Sequence, residues 1–286
     1  MSAKSDGSPR SGRSGAAEAL YDRVVGHFGR LKLGRLPECV DGLAEQATKE
    51  QWTYVEFLDQ LLTAEVAART ERDVAMKTKL AHFPFVKTLE QFDFAYQPSV
   101  SERQIRELAT LRFVAQGENL LLLGPPGTGK THLAIALGVR AISQGVSVYF
   151  VTVSDLLELL QRDAKEDRLA HRLQVLCRPT LLILDEMGYF PLDRLAAQFL
   201  FQLVSRRYQK TSIILTSNKS YGDWGDVLAD PVLASAILDR LLHFSTTIAI
   251  RGQSYRLRDK RKAGVFHDLT DTTDAHEPHA DRQKEA

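Results

Sequence analysis

Residues Leu120–Thr131 read LLLLGPPGTGKT, four leucines and then a loop of glycine and proline that ends in Lys130-Thr131. From Gly124 to Thr131 the spacing is G-x-x-x-x-G-K-[ST], the pattern of a loop that cradles phosphate. The unbroken leucine run predicts a strand buried on both faces. Beyond the loop, HLAIALGVRAI (His132–Ile142) has helical spacing, so strand, loop and helix follow in the order the motif requires. Gly124, Gly127 and Gly129, with Pro125, Pro126 and Thr128 between them, let backbone N–H groups converge on a β-phosphate. The following helix N-terminus, where His132 sits, adds partial positive charge. In such a loop Lys130 reaches the β- and γ-phosphates and the Thr131 hydroxyl holds Mg²⁺. The stretch predicts a site for ATP or a related nucleoside triphosphate.

Downstream the pattern alternates. Val146–Val153 is a β-rich run, and Ser154 opens a helix over DLLELLQRDAKEDRL, with Asp155 in its first turn. Thr180–Leu184 is a second apolar strand ending in Asp185-Glu186. Leu195–Tyr208 is helical, Ser212–Thr216 is a strand ending in Ser217-Asn218, and Thr247–Ile250 is a last short strand. Alternation of this kind predicts an α/β fold, a parallel five-stranded sheet with helices on both faces. Ligands in such sheets bind beyond the carboxyl ends of the strands, where the loop, Asp185, Glu186 and Asn218 converge.

The acids after LLIL supply the second part of a catalytic site. Asp185 would hold the metal, directly or through water, and Glu186 would polarise an attacking water as general base. A kinase that transfers phosphate to a hydroxyl has no need of that second acid. Asn218, at the tip of the neighbouring strand, suits a hydrogen bond to the γ-phosphate or the water, although Ser and Asn after a strand are also ordinary turn formers. Arg240, in SAILDRLLHF, either neutralises transition-state charge in a neighbouring subunit as an arginine finger or pairs with Asp239 on the surface. The basic run Arg251–Lys262 has two uses. Arg251 or Arg256 suits contact with nucleotide phosphates, while Arg258, Lys260, Arg261 and Lys262 suit either a nucleic-acid backbone or a solvated helix end.

Upstream, MSAKSDGSPRSGRSG (1–15) is low-complexity and expected to be disordered. Residues 16–83 predict a small helical domain. Leu20, Val24, Val25 and Phe28 mark one face and Leu36, Val40, Leu43 and Ala47 a second. Thr53 with Glu56 forms a capping box for a helix through Phe57, Leu58, Leu61, Leu62 and Val66 to about Lys79. Its bases, among them Arg30, Lys32, Arg35, Arg69 and Arg72, suit DNA phosphates if they share a face, and otherwise a solvated surface. Residues 84–100 read as a linker whose Phe92 and Phe94 either wall an adenine pocket or anchor the segment. Ser101 and Gln104 cap a helix to about Gln116, so the nucleotide domain spans 101–264, with a polar tail at 265–286.

Composition narrows the class. The chain has 286 residues, 44% hydrophobic and 26% charged, with a net charge of +1, so any nucleic-acid contact must come from local patches. Cys39 and Cys177 stand far apart in no metal-like spacing, which suits the reducing cytoplasm. No apolar run reaches 18 residues, so no membrane span is expected.

Together GPPGTGKTHLAIALG, LLILDEMGYFPLD, LVSRRYQKTSIILTSN, WGDVLADPVLASAILDRLLH and RGQSYRL resemble the IstB-like transposition helper ATPases, a match running from about Leu31 to Leu257. The resemblance implies an AAA+ ATPase akin to helicase loaders and replication initiators. It assigns Gly124–Thr131 to Walker A, Asp185 and Glu186 to Walker B, Asn218 to sensor 1 and Arg240 to the finger. It further implies an N-terminal helical domain, ATP-dependent homo-oligomers on double-stranded DNA, and activation of a partner transposase. The runner-up partner is a replicative helicase, served by a loader of the DnaC kind.

Overall fold

In the computed structural model, which describes residues 15–228 and 230–258, the leucine run becomes β1 (Asn119–Leu123) with parallel partners on both sides. Leu121 lies opposite Leu215 of β4 (Ser212–Ser217) and opposite Thr247 of β5 (Ser245–Ala249). With β2 (Val148–Thr152) and β3 (Leu181–Met187) the sheet runs β2-β3-β4-β1-β5, all parallel. The expected α/β P-loop architecture is thus observed. Leu120, Leu121 and Leu122 are fully buried because helices cover both faces.

Helix α6 (Lys130–Ser143) covers the face to which Ile183 points; a Cβ on its Gly138 would stand 2.9 Å from the Ile183 Cδ1. On the opposite face Leu182, Leu184, Ile213 and Leu215 join a single core with five helices. These are α7 (Val153–Lys165), α8 (Leu169–Cys177), α9 (Arg194–Arg207), α10 (Trp224–Leu228) and α11 (Pro231–His243). Alternate residues of one strand therefore belong to different layers, as the period of two requires.

The chain parts into two compact units, 1–76 and 77–286. The first holds α1 (Gly15–Arg30), α2 (Leu36–Glu50) and most of α3 (Tyr54–Leu80). The capping box at the head of α3 is formed: Thr53 N–H donates to the Glu56 carboxylate at 2.7 Å and Glu56 N–H returns to Thr53 Oγ1 at 3.3 Å. Leu36 and Leu61 are buried, but Leu20, Leu58, Leu62 and Val66 are more than half exposed, so α1 and α3 bury narrower stripes than their apolar residues suggest. The buried Glu65 accepts the Arg35 N–H at 2.7 Å and the Arg72 guanidinium at 3.1 Å. Burial works to raise its pKa, yet those partners outweigh it and hold the carboxyl below its ordinary range.

Two expected helices are each broken. The span 101–116 is α4 (Glu102–Leu108) and α5 (Arg112–Ala115), separated where Leu111 adopts φ 63° so that Ile105, Leu108, Phe113 and Val114 can all be buried. The Ser101 cap holds, its hydroxyl accepting the Gln104 N–H at 3.3 Å. The span from Ser154 is α7 and α8, with Asp167 at φ 54° between them. The first begins one residue early because Thr152 Oγ1 accepts the Asp155 N–H and acts as N-cap. The linker is not featureless either. Thr88 and Gln91 close a reciprocal cap around a short 3₁₀ turn, Leu89–Gln91. The expected tails at 1–15 and 265–286 lie outside the described residues except for Gly15, as do Lys260, Arg261 and Lys262.

Candidate nucleotide site

The carboxyl ends of β3 and β4 meet out of step. Leu184 pairs with Leu215 and Met187 with Ser217, so two residues of β3, Asp185 and Glu186, face the single Thr216 of β4. The bulge puts Glu186 at φ 66°, a left-handed conformation that non-glycine residues avoid. Thr216 fills the gap in the ladder. Its Oγ1 accepts the Glu186 N–H at 3.0 Å and donates to Asp185 Oδ1 at 2.5 Å. From the other side the Thr131 hydroxyl lies 3.0 Å from both carboxylate oxygens of Asp185. The Walker-type threonine and aspartate are thus side by side, held by three elements.

Lys130 heads α6 and folds back over the loop that precedes it. Its Nζ donates to the carbonyls of Gly124 at 2.6 Å and Pro125 at 2.7 Å. Burial pushes its pKa down to about 8; Asp185 opposes that shift and the charge of Arg256 adds to it. Burial raises the pKa of Asp185 against the hydrogen bonds of Thr216 and Thr131. It also raises that of Glu186, with the charge of Asp185 adding to the effect. A carboxylate lifted in this way is a better proton acceptor than a solvated one.

Lys130, Thr131, Glu186 and Thr216 open onto one cavity of about 330 Å³, within the range of small-ligand sites. Gly127, Thr128, Gly129, Lys130, Thr131 and His132 form its floor, and Glu186, Thr216, Tyr189 and Arg256 its phosphate-side wall. Phe85, Phe92, Tyr96 and Tyr255 supply aromatic wall. Phe92 stacks edge-on against His132, whose Nε2 hydrogen-bonds to the Thr88 carbonyl at 2.8 Å, and packs so close to Gly129 that a Cβ there would lie 2.6 Å from its ring. Phe94, the other candidate, only buttresses Phe92 from behind, ring centres 4.8 Å apart, and does not line the cavity.

The segment after β5 straps back across the loop. Tyr255 N–H donates to the Gly127 carbonyl at 2.9 Å, Tyr96 OH donates to the Ser254 carbonyl at 3.2 Å, and Arg258 pairs with Asp93 at 3.1 Å while lying over the Tyr255 ring. Of the two arginines suited to nucleotide phosphates, Arg256 lines the cavity, whereas Arg251 lies outside it and its backbone is tied to Ser99. Arg258 is taken up within the fold. Asn218 stands at the tip of β4 but not on the cavity wall; its Oδ1 is buried without a hydrogen-bond partner, against the Gly188 turn. Arg240 does not line this chain's own cavity either. Its Nη1 donates to the Ala236 carbonyl at 2.9 Å and its guanidinium covers the Phe201 ring at 4.8 Å, so neither bond is the surface pair with Asp239.

Sequence reasoning missed several residues of the cavity and its strap, among them Phe85, Tyr189, Thr216, Tyr96 and Tyr255. Thr216 had one signal, a hydroxyl set in an otherwise apolar buried strand. Tyr96 and Tyr255 belong to segments far apart in sequence, and only the strap brings them together.

The sequence profile of the family described as IstB-like ATP binding protein matches residues 26–263. The chain belongs to that family. The protein named for ATP binding in insertion sequence IS21 of Pseudomonas aeruginosa is 52% identical over 83% of this chain and 89% of its own. The corresponding protein of insertion sequence IS5376 from Geobacillus stearothermophilus is 49% identical over 85% and 96%. A crystal structure of the DnaC helicase loader is 26% identical, covering 53% of this chain and 92% of its own at a TM-score of 0.44. The loop, Glu186 and the aromatic residues line one cavity in this member of the family. Among the described residues no helix is long and apolar enough to cross a membrane.

Proposed function

We propose that the protein is an ATPase that cleaves ATP to ADP and phosphate, and that this cycle governs assembly of its copies on double-stranded DNA and activation of a partner transposase. The observation that carries the reading is that Lys130, Thr131 and Glu186 line one cavity floored by the phosphate loop, with Asp185 hydrogen-bonded to Thr131. Lys130 exchanges its carbonyl partners for the β- and γ-phosphate oxygens. Glu186 accepts the proton of the attacking water. Arg256 adds positive charge on the γ-phosphate side, and Phe92, Tyr96 and Tyr255 give the base an apolar berth. Mg²⁺ fits the donor set, because Thr131 and Asp185 offer hard oxygens 3.0 Å apart and the ion takes few protein ligands besides phosphate and water. When bound, it neutralises charge on the β- and γ-phosphates.

Arg240 has no nucleotide to serve in its own chain, which supports a role toward the cavity of a neighbouring copy. Asn218 would join the site once a γ-phosphate draws the Gly188 turn inward. The relatives named for insertion sequences favour a transposase over a helicase as the partner. Phosphate release measured with and without linear duplex, alongside electron microscopy in ATP, ADP and no nucleotide, tests the reading. Assemblies on duplex in ATP alone, with DNA-dependent phosphate release, are expected; equal DNA binding in all three states would refute the switch.

A further inference from the structure

No role was assigned to Thr216 from the sequence, yet among the described residues its side chain is the one that hydrogen-bonds both members of the acid pair. A threonine hydroxyl carries a single proton. Because Oγ1 accepts the Glu186 N–H at 3.0 Å, that proton is free to go only to Asp185, at 2.5 Å. The polarity of the chain is therefore fixed: Glu186 N–H to Thr216, Thr216 O–H to Asp185 Oδ1.

Two consequences follow from the geometry. Asp185 Oδ1 is engaged from the strand side, so the carboxylate cannot rotate freely and stays with both oxygens within reach of the Thr131 hydroxyl. At the bulge, β4 offers one residue against two of β3, and the Thr216 side chain takes the N–H that no ladder carbonyl meets. That bond holds Glu186 at φ 66°, a conformation that costs on the order of 1–2 kcal/mol for a residue with a Cβ and persists only where its surroundings enforce it. Without it, β3 would relax toward regular extension, and the period of two would turn the Glu186 carboxylate off the cavity. Thr216 is almost fully buried, so water does not substitute for its hydroxyl.

We infer that Thr216 is a positioning residue for hydrolysis, aiming the Asp185 carboxylate at the metal position and the Glu186 carboxylate at the attacking water. The inference rests on the ATPase reading above and deepens it. Thr216→Val keeps the shape and removes the hydroxyl; Thr216→Ser keeps the hydroxyl and removes the methyl. The expected result is a kcat for Thr216→Val lower by on the order of tenfold to a hundredfold, the worth of a hydrogen bond to a charged group. KM for ATP and the affinity for a fluorescent ATP analogue stay within about twofold, the Mg²⁺ concentration for half-maximal rate rises, and Thr216→Ser recovers most of the rate. A merely structural residue would instead lower melting temperature and nucleotide affinity together, with no selective change in Mg²⁺ requirement. Thr216→Ala repeats the test if valine impairs folding. If the parent hydrolyses ATP and the hydroxyl-free variants match it in kcat and Mg²⁺ dependence, this inference fails while the ATPase reading stands. A parent that releases no phosphate under any condition overturns both.

Discussion

The Tyr255 N–H donates to the Gly127 carbonyl at 2.9 Å, so a residue beyond the last strand is hydrogen-bonded to the middle of the phosphate loop. Around that bond the strap and the linker are stitched by Tyr96, Ser254, Asp93 and Arg258, and the nucleotide cavity lies beneath them. The site is therefore a three-part construction. Predictions can be directed at each part separately.

Glu186→Gln retains the shape and the bulge but cannot take a proton. ATP affinity is expected to stay near that of the parent, with phosphate release slower by roughly 10²–10⁴-fold, the usual contribution of a positioned general base. Equilibrium nucleotide binding and single-turnover hydrolysis, measured side by side, check this.

Lys130 predicts a proton inventory. With a pKa near 8 it is about half charged at pH 8, and a bound triphosphate would complete the charge, so binding takes up about half a proton per site. Calorimetry in two buffers of different ionisation enthalpy reads that number; Lys130→Arg, which does not titrate there, should abolish it. The same shift affects stability. The ordinary lysine pKa is about 10.4, so between about pH 8 and that value the unfolded chain holds more protons than the folded one. Over that window the nucleotide-free protein gains stability from this group as pH rises, and below pH 8 it carries the full cost of the buried charge.

Gly124→Ala should damage the loop and strap together. A Cβ there would stand 2.1 Å from the Ile250 carbonyl oxygen, at a φ of 150°, and a backbone atom cannot swing aside. A loss of several kcal/mol, on the order of 3, is expected together with loss of nucleotide binding. Gly145→Ala is the control. It also has positive φ, 84°, but meets nothing within 4 Å, so its cost should be about 1 kcal/mol with binding intact. Thermal melts with and without ATP distinguish the two.

Arg207→Met tests the far end of the sheet. The buried guanidinium donates to the carbonyls of Leu176, Pro179, Thr180 and Ser212, tying the amino ends of β3 and β4 to the end of α8. The Leu176, Pro179 and Ser212 carbonyls lose a buried donor, while that of Thr180 keeps the Ser212 N–H, so urea unfolding should show a loss of about 3–5 kcal/mol. In the folded fraction nucleotide affinity should be unchanged, because the carboxylates stand at the opposite ends of the strands.

Much of this was legible before any coordinates. Gly124–Thr131 gave strand, loop and helix because a doubly buried strand has an unmistakable composition, and Asp185-Glu186 gave the acids because charge at the end of such a strand has few other reasons to be there. Phe92 was visible as either a cavity wall or an anchor, and it has both kinds of contact, lining the cavity and packing on Gly129 and His132. Thr216 and Tyr255 were hidden for another reason. The first matters through a register shift and the second through a chain reversal, and neither leaves a period in the sequence. The break at Leu111 was hidden too, since leucine does not announce a left-handed turn; Asp167 is a residue type that tolerates one, but a lone aspartate in a charged helical run is not a decisive signal.

Much of the cavity wall comes from residues within 85–97 on one side of the phosphate loop in sequence and from Tyr255 and Arg256 on the other. A deletion at either flank would uncover the same floor, so trimming the linker and trimming the strap should give one phenotype: an open cleft that binds inorganic phosphate but has lost its grip on the purine.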